Sequence, residues 1–181
     1  MSKSARLGVV LGLNLSLIAA LVIVGVAAHS LGVIAEGIDY LADAAAIVIS
    51  LIAIRLARIP PTPRHPRGYP KATMIAALVN AGWLLALAIL VAAGSMRRLV
   101  AGAGHVHGLA VLIISSVAAL VMLLGAFILR GDGDDTDLNM RAVLLDTAAD
   151  AAAAAGVAIV GAIIYIAQGA YWLDPLAALA I

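Results

Sequence analysis

The chain has 181 residues, of which 65% are apolar, 12% charged and only 4% aromatic, with no cysteine and a net charge of +1. A soluble domain carries about twice that share of charge, so this chain could not cover a water-facing surface. Its mean hydropathy of +1.14 is that of an integral membrane protein. No basic surplus supports nucleic-acid binding, and the lack of cysteine removes disulfide scaffolds and thiolate chemistry.

A helix needs about 20 apolar residues to cross a hydrocarbon core of roughly 30 Å. In chain order, runs of that length occupy Leu7–Ala28, Leu31–Ala57, Met74–Met96, Gly108–Leu129 and Ala142–Ala167. They are continuous rather than alternating, which favours helices over the strands of a membrane barrel. Lys3 and Arg6 precede the first run as in a signal peptide, but that run exceeds the 7–15 residues of a signal core and reads as a retained helix. A sixth stretch covers 171–181 and reaches about 16 Å as a helix, so it is either short or truncated at Ile181. The expectation is an all-α membrane protein: a bundle of six transmembrane helices forming one domain over 1–181, with no soluble C-terminal domain.

Basic residues orient the bundle. With the N-terminus in the cytoplasm, every lysine and arginine except Arg97 and Arg98 falls on the cytoplasmic side. Composition adds a bacterial inner membrane as the expected location.

The acidic residues carry the chemistry. Asp132, Asp134, Asp135 and Asp137 fall in the loop after the fourth run and Asp174 opens the sixth, but Glu36, Asp39, Asp43, Asp146 and Asp150 lie inside apolar runs. A carboxylate at bilayer depth costs on the order of 2.5–3.5 kcal/mol on insertion scales. Asp39 and Asp43 are spaced i, i+4, as are Asp146 and Asp150, so each pair shares a helix face, with Glu36 near the first stripe. Like charges so placed repel by roughly 3 kcal/mol at an effective dielectric near 20, and a bound cation or protons relieve that repulsion. Two such faces brought together make a four-oxygen pocket suited to a divalent metal. The alternative is a set of acids that are neutral in a wet cavity or paired with arginine; every lysine and arginine lies near the end of a run or in a loop, so no internal basic partner is visible. The small residues of AADAAAAAG, from Ala148 to Gly156, would let a neighbouring backbone come close.

With these residues in view, the chain resembles the cation diffusion facilitator family of proton-coupled divalent metal exporters. The segment SLGVIAEGIDYLADAAAIVISLIAIRLA is similar to the family's second helix with its D/H-x-x-x-D pair, NMRAVLLDTAADAAAAAG to its fifth, and YWLDPLAALAI to the start of its sixth. The loop and third helix, RIPPTPRHPRGYPKATMIAALVNA, also match. The resemblance implies transport ligands at Asp39, Asp43, Asp146 and Asp150. Family members that carry zinc usually have histidine at the position of Asp146 and often at Asp39. Four hard oxygens suit Mn²⁺ and, less sharply, Fe²⁺, whereas zinc with cadmium is the family default. His65 matches one residue of the family's loop site, but Tyr69 and Thr73 replace its usual partners, so a structural or solvated His65 is the better reading. The resemblance also implies a soluble C-terminal domain that helps dimerise the family. Residues 1–181 are expected to hold none, whether as a variant lacking it or as a chain from which it was removed, and a homodimer through transmembrane helices stays open.

The implied function is export of a divalent cation in exchange for protons, by alternating access at a midplane site, without enzymatic activity. Glu36, His65 and Asn14 are accessory candidates. Asn14, Asn80, Ser115 and Ser116 are read first as interhelical hydrogen-bonding groups, and the His105-x-His107 pair as ordinary loop histidines with a weak metal site as the alternative. The competing functions are a non-transporting metal-binding subunit or sensor and, remotely, an intramembrane aspartyl protease; in the latter the tyrosine would precede the aspartate, whereas Tyr40 follows Asp39.

Overall fold

The computed structural model describes residues 3–59, 69, 71–130 and 138–181. These form six α-helices: α1 Lys3–Ala27, α2 Leu31–Ala57, α3 Ala72–Ala101, α4 Gly108–Arg130, α5 Leu138–Ala167 and α6 Leu173–Ala180. The fold is all-helical, as expected from the continuous apolar runs. By length and composition α2, α3, α4 and α5 can each cross a membrane, and α1 holds a shorter apolar stretch at Asn14–Ala27. α1, α3 and α5 begin a few residues before the apolar runs do. The physical reason is that a helix continues past the hydrocarbon edge while its backbone can still bond to itself. α6 has 8 residues, about 12 Å of helix.

α2 is the hub, packing against each of the other five helices, while the most extensive single interface joins α4 to α5. Two glycines make that interface close. A methyl group on Gly161 would stand 2.6 Å from the Leu112 amide nitrogen, and one on Gly108 would stand 2.6 Å from that of Tyr165. The alanine-rich run contributes differently from the expectation. Ala151 and Ala154 are buried, but Gly156 has open space beside it. The tightest approach therefore lies beyond the small-residue run.

The start of α2 is held by a side chain from the other end of the sequence. A helix leaves its first amides without intrahelical partners. Here Leu31 N–H donates to Asp174 Oδ2 at 2.7 Å and Gly32 N–H to Asp174 Oδ1 at 3.2 Å. Val33 N–H donates to the N-cap Ser30 Oγ at 3.1 Å, and that hydroxyl itself donates to Asp174 Oδ1. The carboxylate also sits where the helix dipole favours negative charge. Arg98, at the end of α3, reaches Asp174 Oδ2 at 3.8 Å and donates to the His29 carbonyl at 2.6 Å. His29 has a positive φ of 56°. Its amide bonds back to Val26 and that of Ser30 to Gly25, the helix-ending turn that glycine usually makes. One end of the bundle is thereby tied through α1, α2, α3 and α6.

Two stability outcomes follow. Gly161→Leu should lower stability in detergent by about 1–3 kcal/mol or prevent folding, whereas Gly156→Leu should leave the denaturation midpoint within error. Asp174→Ala strands buried donors at roughly 1–3 kcal/mol each, so its midpoint should fall further than that of Arg98→Ala; equal midpoints would contradict the capping role.

Candidate metal centre

The 3.6-residue period of α2 lays Glu36, Asp39, Tyr40 and Asp43 along adjoining faces, and α5 brings Asp150 to the same level. Tyr40 is buried, and its hydroxyl donates to the backbone carbonyl of Asp150 at 3.4 Å. This contact ties α2 to α5 in the turn that carries the carboxylate. Oxygens of Asp39, Asp43 and Asp150 all lie within 4.8 Å of one another, and each residue is half-buried.

Three anions at this separation repel by about 3–4 kcal/mol per pair at an effective dielectric near 20. Among the described residues no basic side chain pairs with them; the ion pair formed by Arg98 and Asp174 stands at the bundle end. A tetrahedral divalent ion at about 2.0–2.2 Å from each oxygen would hold them roughly 3.4 Å apart. Side-chain rotations of about 1.5 Å or less would close the group on one ion. Asp39 is also the acidic wall residue of a cavity of about 420 Å³ between α2, α3 and α6, otherwise lined by residues such as Ala35, Leu84 and Ala178. The cavity brings space for a hydrated ion or water up to one of the carboxylates.

The remaining sequence candidates fall as follows. Asp146 lies one turn before Asp150, exposed on α5 and outside the group of three, although its charge is felt by Asp39, Asp43 and Asp150. Glu36 is 1% exposed and outside the group as well. Its Oε2 accepts from Ser115 Oγ at 2.8 Å, whereas its Oε1 has no partner. Asn14 is half-buried on α1, and His65 lies outside the described residues. Ser115 makes the interhelical bond expected of it. Asn80 does not through its carbonyl oxygen, which is buried without a partner beside a second cavity between α2 and α3.

Two residues that shape the site were not assigned roles from the sequence. Tyr40 sits between two predicted ligands, but nothing in a linear spacing shows that its hydroxyl finds the backbone of α5. Asp174 precedes a proline at the start of a helix, a position from which an acid ordinarily caps its own helix; its reach to α2 is a tertiary contact.

Comparison with known proteins adds the following. A family model described as the cation efflux transmembrane domain matches residues 7–181. The chain is 30% identical to the zinc transporter ZitB of Yersinia pestis over 175 residues, covering 97% of this chain and 55% of that protein. It is 32% identical to the zinc transporter ZitB of Escherichia coli over 155 residues, covering 86% and 49%. A cadmium, cobalt and zinc/H(+)-K(+) antiporter of Bacillus subtilis is 29% identical over 156 residues, covering 86% and 50%. The chain thus spans about half the length of the curated relatives it matches.

The Glu36–Ser115 contact can be tested by a double-mutant cycle. Ser115→Ala should cost about 1–3 kcal/mol when Glu36 is present and close to nothing in a Glu36→Leu background. A coupling energy near zero in denaturation of the four proteins would refute the pairing.

Proposed function

The chain belongs to the cation efflux family, whose members are transporters rather than enzymes, and from this premise we propose that it exports a divalent metal ion from the cytoplasm in exchange for protons. The observation that carries the reading is the convergence of Asp39, Asp43 and Asp150 from two helices inside an apolar bundle, without a basic partner among the described residues. Asp146 would join as a fourth ligand by a side-chain or helix movement of one turn's reach, and such a movement is what alternating access requires. The ion enters from the cytoplasm and displaces protons from the aspartates. On the far side it leaves as protons return, so that the pocket is never left with its full negative charge in a low-dielectric setting.

Zinc, with cadmium, is the cargo that the relatives' names favour, and carboxylates can hold it. The all-oxygen donor set is the counter-argument for Mn²⁺ or Fe²⁺. Placement in a bacterial inner membrane with the N-terminus inside belongs to the same proposal, supported by the distribution of lysine and arginine. So does a homodimer through the transmembrane helices. The reading as a sensor or subunit that binds metal without moving it differs from this one only in flux.

The decisive measurement is uptake of Zn²⁺ and Mn²⁺ into vesicles containing the purified protein under an imposed pH gradient. Zn²⁺ flux should exceed Mn²⁺ flux and respond to the gradient. Asp43→Ala and Asp150→Ala should each reduce it at least a hundredfold, with folding intact because each removes a repelling charge. Wild-type flux in Asp150→Ala would refute the site, and metal binding without flux in the wild type would favour the sensor.

A further inference from the structure

The most concentrated donor chemistry outside the aspartate group lies at the tied end of the bundle, where α4 begins and α5 stops. The connection before α4 carries His105 and His107, and their rings meet edge to face with centroids 5.1 Å apart and planes at 71°. The His105 ring is also 4.9 Å from that of Tyr171. This segment is anchored, because Val106 between the two histidines is 2% exposed and the His107 amide donates to the Ala28 carbonyl at 3.1 Å. Both imidazoles are exposed, and among the described residues neither has a hydrogen-bonding partner. With Gln168 and Tyr171 they line a cavity of about 360 Å³.

The spacing is that of two imidazoles on one ion. A zinc–nitrogen bond is about 2.0–2.1 Å, and the ring centre lies roughly 1.1 Å behind the nitrogen; two rings on one tetrahedral ion therefore stand with centres about 5 Å apart. A buried aromatic pair can show the same distance, but these rings are exposed and keep their nitrogens free. Helix dipoles give no net bias, since the positive end of α4 and the negative end of α5 both abut the cavity. The imidazole nitrogens carry the affinity.

We propose that His105 and His107 form a second divalent-cation site, completed by water and distinct from the aspartate group. Two neutral nitrogen ligands select Zn²⁺ or Co²⁺ over Mn²⁺ or Mg²⁺. Two protein ligands alone leave the ion exchangeable, as an ion in transit at one mouth of the bundle needs to be. Along α5 the cavity residue Tyr165 is about 22 Å from Asp150, so the two sites share no ligand and both can be filled together.

The test is equilibrium binding of Zn²⁺ and Co²⁺ to the full chain in detergent, with His105→Ala/His107→Ala and Asp150→Ala alongside. The double variant should bind one ion fewer than wild type and lose the Co²⁺ absorption arising from nitrogen ligands, while Asp150→Ala keeps that absorption. Both histidines are exposed, so an unchanged thermal melt should accompany the loss. The same ion count and the same Co²⁺ spectrum in the double variant as in wild type would overturn the proposal. An Asp150→Ala protein with full stoichiometry would instead overturn the aspartate reading, while the loss in the double variant would uphold this one.

Discussion

The carboxylate of Asp174, carried by α6, closes the first turn of α2, and the rest of the bundle is arranged about that contact. It satisfies the amides of Leu31 and Gly32 and the hydroxyl of Ser30, groups that would otherwise be buried without partners. Arg98 adds the end of α3 and the His29 turn to the same knot. Because α2 touches every other helix, fixing its first turn fixes the level at which all its side chains meet their neighbours. Asp39 lies eight residues further on, about 12 Å along the axis, and its position relative to α5 follows from where that turn is held.

Polar groups inside the bundle then form a graded series along α2. At the capped end the first four amides of α2 have each found an acceptor. One level deeper, Glu36 is bonded through one oxygen to Ser115 and unpartnered at the other. Deeper still, Asp39, Asp43 and Asp150 face one another with no counter-charge among the described residues. Water is scarce at such depth, so unsatisfied groups are expensive, and a bundle built for stability alone would not concentrate them in its middle. The cost grows toward the group to which a cation-binding role is proposed, and a cation would remove it. The close α4–α5 interface, set by Gly108 and Gly161, provides a stiff pair of helices against which α2 presents its acids.

Both carboxylate-bearing helices fall within the region that matches the cation efflux transmembrane domain, residues 7–181. At the proposed site the chain would offer oxygen where the resemblance implies that zinc carriers commonly have imidazole. Hard and borderline ions compete on such a site by geometry rather than by donor softness. A pocket assembled from three half-buried aspartates, with a fourth one turn away, can change its ligand number as the helices move. In the proposed transport role, that would let an acidic site exchange its ion rather than trap it.

The amino-acid sequence by itself determined the class of protein, the number and order of helices and the residues that carry charge into the membrane. Uninterrupted apolar runs leave the backbone no solution in lipid but a helix, so the run Leu31–Ala57 coincides with α2, while α1, α3 and α5 begin before their runs. The i, i+4 spacing of Asp39 with Asp43 fixes their common face without reference to any neighbour. Contacts between helices were not legible in this way. In the sequence Asp174 is only the acid that opens the sixth stretch, Tyr40 only the residue after Asp39, and the Ala148–Gly156 run one that allows a close approach without giving its place. Each was decided by rotation and height of one helix against another, quantities that a single helix's periodicity does not contain. The same reason separates Asp146 from Asp150: one helix face offers both, but only the packing of α2 against α5 determines which of them meets Asp39 and Asp43.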